Sequence, residues 1–67
     1  MNQLKEFRKS LKLDQISIAK EIGVSFSYYS KVESGFQNPS YSFLLKLKKR
    51  YPQVNIDMMF FNITKSH

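Results

Sequence analysis

The sequence predicts an all-α domain of five short helices, and three observations carry that prediction. Apolar residues recur at helical spacing along the chain. Four of the periodic segments follow a short polar residue (Asp14, Ser25, Ser40, Asn55) whose side chain can accept from the N–H groups that a helix leaves unbonded at its start. Glycine or proline punctuates the segments at Gly23, Gly35, Pro39 and Pro52, and no stretch alternates in the manner of a strand.

In chain order, Leu4, Phe7 and Leu11 fall at i, i+3 and i+7, which predicts a first helix over residues 2–11 with Lys5, Lys9 and Lys12 on its other side. Asp14, accepting near Ser17, starts a second helix over residues 15–22. Its Ile18 and Ile22 lie one turn apart beside a small Ala19, and Gly23 ends it in the left-handed conformation. Ser25 caps a third helix over residues 26–33 with Tyr29 and Val32 facing inward, closed by Ser34-Gly35. Residues 36–39 read as a loop, since the residue before Pro39 is biased away from helix. Ser40 caps a fourth helix to Arg50, with Leu44, Leu47 and Tyr51 inside and Pro52 as its stop. Asn55 caps a fifth over residues 56–61.

Sixty-seven residues make one small domain, divided here into residues 1–63 and a short tail, 64–67. A chain of this size buries only about 60% of its unfolded surface, so its core is thin. With no cysteine and one histidine, His67, neither disulfides nor a cysteine-built zinc site can reinforce it. No metal and no cofactor is expected. Eleven Lys and Arg against five Asp and Glu give a net charge of +6, which favours a polyanionic partner or is simply a solvated basic surface. The longest apolar run, residues 58–61, is far too short to span a membrane, and residues 1–6 lack the apolar stretch of a signal peptide, so a cytoplasmic location is expected. No nucleophile–base pairing, useful pair of carboxylates or phosphate-cradling glycine loop is present, which argues against an enzyme and a small-molecule substrate.

The most informative segment is residues 14–35: two helices joined by the three-residue turn Gly23-Val24-Ser25, a connection that crosses them steeply and can present the second in a major groove. Leu4, Arg8, Leu13, Gln15, Ala19, Ile22, Gly23, Val24, Ser25, Val32, Glu33, Gly35, Asn38, Pro39, Ser40, Leu44 and Leu47 together resemble the helix-turn-helix domains of phage Cro proteins and lambda-type repressors, the xenobiotic response element family. The likeness covers residues 4–60, nearly the whole chain. It implies a lambda-repressor-like fold with helices 2 and 3 as the helix-turn-helix, double-stranded DNA as partner, and transcriptional control as function.

The resemblance also implies roles for residues. Phe26, Ser27, Tyr28, Ser30 and Lys31 would read bases: Lys31 can donate to guanine O6 and N7, and Phe26 can pack on a thymine methyl or else be a partly buried core aromatic. Tyr28 can alternatively offer its hydroxyl to a phosphate. Tyr29 stands where relatives carry Ile or Val and is assigned to the core. Lys12, Gln15, Gln37, Asn38, Ser40 and Tyr41 would hold phosphates, Gln15 and Ser40 at helix N-termini that favour anions; the bland alternative for Gln15 is a surface role. Arg8 and Glu33 would form a structural ion pair between helices 1 and 3, unless Arg8 touches DNA itself. Lys46, Lys48, Lys49 and Arg50 spread around their helix and read as a solvated face, with the Lys48 stem snorkelling outward.

Ile56, Met58, Met59, Phe60 and Phe61 are more apolar than a short helix can bury beneath itself, and the resemblance implies a homodimer through Met58, Phe61 and Ile63; the alternative is that they all close the monomer core. Tyr51-Pro52-Gln53-Val54 is longer than the link usual in the family, which leaves the placement of helix 5 open. The leading expectation is a dimeric Cro-type repressor on a near-palindromic operator. A controller protein, an antitoxin, or a protein-interaction module on the same fold are the alternatives.

Overall fold

A computed structural model describes the backbone of residues 3–61 and the side chains of residues 3–60. Within them lie four α-helices, α1 (Leu4–Ser10), α2 (Gln15–Ile22), α3 (Phe26–Glu33) and α4 (Tyr41–Arg50), then a π-helical turn, Asp57–Phe61. No strand occurs among the described residues.

The capping residues account for the starts. Asp14 accepts from the Ser17 N–H at 2.7 Å, Ser25 from the Tyr28 N–H at 3.1 Å and Ser40 from the Phe43 N–H at 3.1 Å. Gly23, at φ 92°, ends α2 while its N–H and that of Val24 both reach the Ala19 carbonyl. A side chain there would strain this left-handed backbone, which is the physical reason for glycine.

Two ends differ from the sequence expectation. The first helix runs over residues 4–10 rather than 2–11, and it turns back at Lys12, which takes φ 60° although it is not glycine. Its N–H donates to the Lys9 carbonyl and that of Leu13 to the Arg8 carbonyl, so local hydrogen bonds hold the left-handed residue in place. The fifth helix is a π turn. Asn55 does cap it, accepting from the Met58 N–H at 3.1 Å, but bonding within it is i→i+5. The tighter angular step of a π turn brings consecutive residues toward one side: Met59 is buried and Phe60 packs on the core beside it.

The core lies between the helices: Leu4 from α1, Ile18, Ala19 and Ile22 from α2, Tyr29 and Val32 from α3, Phe43 and Leu47 from α4, closed by Tyr51, Val54 and Met59. Phe43 is its aromatic centre. Its ring stands edge-on to Tyr28 at 5.6 Å and to Phe60 at 6.3 Å, and tilted to Tyr29 at 6.4 Å. Such pairs contribute about 0.5–1.5 kcal/mol each beyond area burial. Phe43, on α4, therefore ties that helix to both α3 and the C-terminal turn.

Candidate nucleic-acid interface

The inner residues of α3 decide what its outer side shows. Tyr29, Val32 and Glu33 are buried, Tyr28 and Ser30 half-buried, and Phe26, Ser27 and Lys31 exposed. At 100° per residue, Phe26, Ser30, Ser27 and Lys31 span an outward arc of about 140°, with Phe26 on one edge and Lys31 on the other. Phe26 is 48% exposed and has no place in the core or in any aromatic pair among the described residues. Tyr28 is turned toward α4: its ring packs on Phe43 and its hydroxyl accepts from the Ser40 N–H at 2.8 Å. That phenol still carries a proton to donate.

What fixes α3 is a carboxylate at its last position. Glu33 Oε2 accepts from Arg8 Nε at 2.7 Å and from the Tyr29 hydroxyl at 2.8 Å. Its Oε1 accepts from Arg8 Nη2 at 3.2 Å and from Gln15 Nε2 at 2.6 Å. Two bonds to each oxygen use the acceptor capacity of an ionised carboxylate. Arg8 adds Nη1 to the Leu13 carbonyl at 2.9 Å, so α1, the start of α2 and the end of α3 meet on one group. Burial pushes the Glu33 carboxyl upward, but the hydrogen bonds from Arg8, Tyr29 and Gln15 outweigh it and hold its pKa below the ordinary value. The Glu33 bond raises that of Arg8. Burial, with the adjacent carboxylate, raises that of the Tyr29 phenol. The helical pattern alone places Tyr29 in the core and does not assign its hydroxyl; the signal for this role is a phenol one helical turn before Glu33.

Lys12 is exposed on its left-handed turn just ahead of α2. Gln15 is half-buried, and with one amide proton committed to Glu33 it retains a second for another acceptor. Gln37, Asn38, Ser40 and Tyr41 are all exposed around the start of α4, on a loop that runs back along α3: the Gln37 N–H reaches the Lys31 carbonyl and the Ser40 N–H the Tyr28 hydroxyl. Phe36 in that loop is 83% exposed, which its apolar character did not foretell.

The basic run on α4 is used within the molecule. Lys46 Nζ lies 3.4 Å from the Gly23 carbonyl, Lys48 Nζ donates to the Val54 carbonyl at 2.6 Å, and Arg50 pairs with Glu21 while lying over the Tyr51 ring. Lys49 is exposed. Of the expected dimer residues, Met58 is 49% exposed; the Phe61 side chain and Ile63 lie outside the described residues. Among the described residues no group of His, Cys, Asp and Glu could hold a metal ion, and no helix is long and apolar enough to cross a membrane.

A family model described as helix-turn-helix, of the Cro and lambda-repressor type, matches residues 4–58, most of the chain and all four α-helices. No curated protein and no solved structure matches the chain significantly.

Proposed function

The chain belongs to the Cro and lambda-repressor-like helix-turn-helix family, a class of DNA-binding transcriptional regulators, and from that premise we propose that it is a sequence-specific, dimeric repressor of Cro type. It lays α3 in the major groove of a near-palindromic operator, one copy per half-site, in the cytoplasm and without catalysis. The observation that supports this most is the outward arc of α3, where Phe26, Ser27 and Lys31 are exposed while the opposite side is locked into the core and onto Arg8.

Lys31 donates to guanine, and Ser27 and Ser30 make short contacts that let the α3 backbone approach the base edges. Lys12, Gln15, Gln37, Asn38, Ser40 and Tyr41 hold the sugar–phosphate backbone. Tyr28 joins this second group, because its hydroxyl faces the Ser40 N–H and leaves only its proton for a phosphate. Such contacts add affinity without sequence preference, at a salt slope of about −0.9 per phosphate neutralised. The net charge of +6 acts in the same direction. Met58, with Phe61 and Ile63, forms the contact between copies.

Selection of bound duplexes from a random pool tests the reading. A recurrent inverted repeat is expected, and a pool that never converges contradicts sequence-specific binding. On the selected site, Lys31→Ala should relax preference at particular base pairs, whereas Gln15→Ala should weaken binding to every sequence alike. Met58→Asp should lower the sedimenting mass toward that of one chain; an unchanged profile removes this interface.

A further inference from the structure

We propose that α3 reads the C5-methyl group of a pyrimidine through Phe26, so that the operator is recognised at one position by a methyl group rather than by a hydrogen bond. The inference rests on the DNA-binding reading above and adds what the reading surface accepts.

Three observations carry it. Phe26 opens α3 with about half its surface in solvent, outside the core cluster and without an aromatic partner among the described residues. Its neighbours on the outward arc, Ser27 and Ser30, are short, so Phe26 and Lys31 are the two side chains there that project beyond them. No Gln, Asn or Arg stands anywhere on α3, so the bidentate pairing that reads adenine, or guanine through a guanidinium, is missing.

The chemistry of the groove then limits what Phe26 can meet. Base edges there present N7, O6 and O4 acceptors and amino donors, and a phenyl ring set against any of these strips its water and returns no hydrogen bond. The C5-methyl group is the one apolar feature on that surface. Thymine carries it, and so does 5-methylcytosine. Lys31, on the other edge of the arc, remains suited to guanine. The two edges together predict a half-site with a methylated pyrimidine at one position and a guanine at another.

The test uses the full chain and the duplex selected from the random pool, with thymines replaced one at a time by deoxyuridine, which removes only the methyl group. At one position per half-site the exchange should weaken wild-type binding about fourfold, the effect of one buried methyl-sized group, and leave Phe26→Ala unaffected. Placing 5-methylcytosine or cytosine at that position distinguishes the two sources of the methyl: a similar gain for the methylated base shows that the methyl itself is read, and equal affinities assign the contact to thymine alone. If no deoxyuridine exchange alters wild-type affinity, or if the base pair sensitive to Phe26→Ala is G·C, which carries no methyl group, the methyl-reading inference is overturned while specific DNA binding stands. Failure to bind any duplex ends the DNA-binding reading itself. Because the first arm alters only the DNA, folding of a variant does not enter its result.

Discussion

Among the described residues are two Arg–Glu pairs of nearly equal length and very different standing. Arg8–Glu33 closes at 2.7 Å with side chains 12% and 5% exposed; Arg50–Glu21 closes at 2.6 Å with side chains 48% and 44% exposed. Distance does not separate them. The first sits among Tyr29, Gln15 and the Leu13 carbonyl, so each partner is held by further hydrogen bonds and either one alone would be a buried charge. The second is a solvated clasp between α4 and α2, weakened by water and salt. Only the buried pair controls the pose of α3, and so the two pairs separate what positions the reading helix from what decorates the surface.

The largest expected effect is on the buried pair. Arg8→Ala or Glu33→Ala should destabilise the fold by about 3–5 kcal/mol, measured by denaturant unfolding, because an uncompensated charge remains. A domain of this size is worth only roughly 3–10 kcal/mol in all, so these variants should be largely unfolded at elevated temperature. Next, Tyr29→Phe removes one donor to the carboxylate while keeping the ring, at a cost of about 1.5–3 kcal/mol.

A pH series sharpens the contrast. The Glu33 pKa is lowered in the folded state, so its contribution is fully present above the ordinary value near 4.5 and is lost as pH falls through the folded value. Wild type should lose stability along that acid limb. Glu33→Gln should start lower at neutral pH, with the gap closing in acid; a constant gap would break the assignment. Smaller still, Lys12→Gly relieves a left-handed residue and should raise stability by about 1 kcal/mol while lowering DNA affinity, a combination that a purely structural lysine would not produce. The smallest change is expected for Arg50→Ala, whose effect on unfolding should fade with added salt. An Arg50 effect equal to that of Arg8 would dissolve the comparison.

The sequence made α2, α3 and α4 legible because their boundaries are local chemistry: Asp14, Ser25 and Ser40 cap, and Gly23 takes the left-handed turn that no other residue there would favour. Where no residue type marks a boundary, or where it depends on contacts distant along the chain, it is hidden. Lys12 adopts a glycine-like φ because neighbouring carbonyls hold it, and no residue type announces this. The C-terminal turn is π-helical because Met59 and Phe60 both approach the core, a demand set by α1 and α4 rather than by residues 56–61. Phe43 went unassigned because Leu44, Leu47 and Tyr51 already satisfied a helical period; its central place follows from Tyr28, Tyr29 and Phe60 converging on it.

The candidate site divides along the same line. That Phe26, Ser27 and Lys31 lie outward follows from a helical wheel once Tyr29 and Val32 are placed inside. Hydrogen bonding is not periodic, so the wheel could not reveal that Tyr28 bends to Ser40 or that Gln15 shares an acceptor with Arg8 and Tyr29.

The central claim is that α3 is presented so that its outer face enters a duplex. Titration of the chain with random and genomic duplexes at low ionic strength, repeated at rising salt, tests it most directly. The account predicts association that weakens linearly in log–log form as salt increases, with a subset of sequences retained at the highest salt. No association with any duplex at low ionic strength would contradict it.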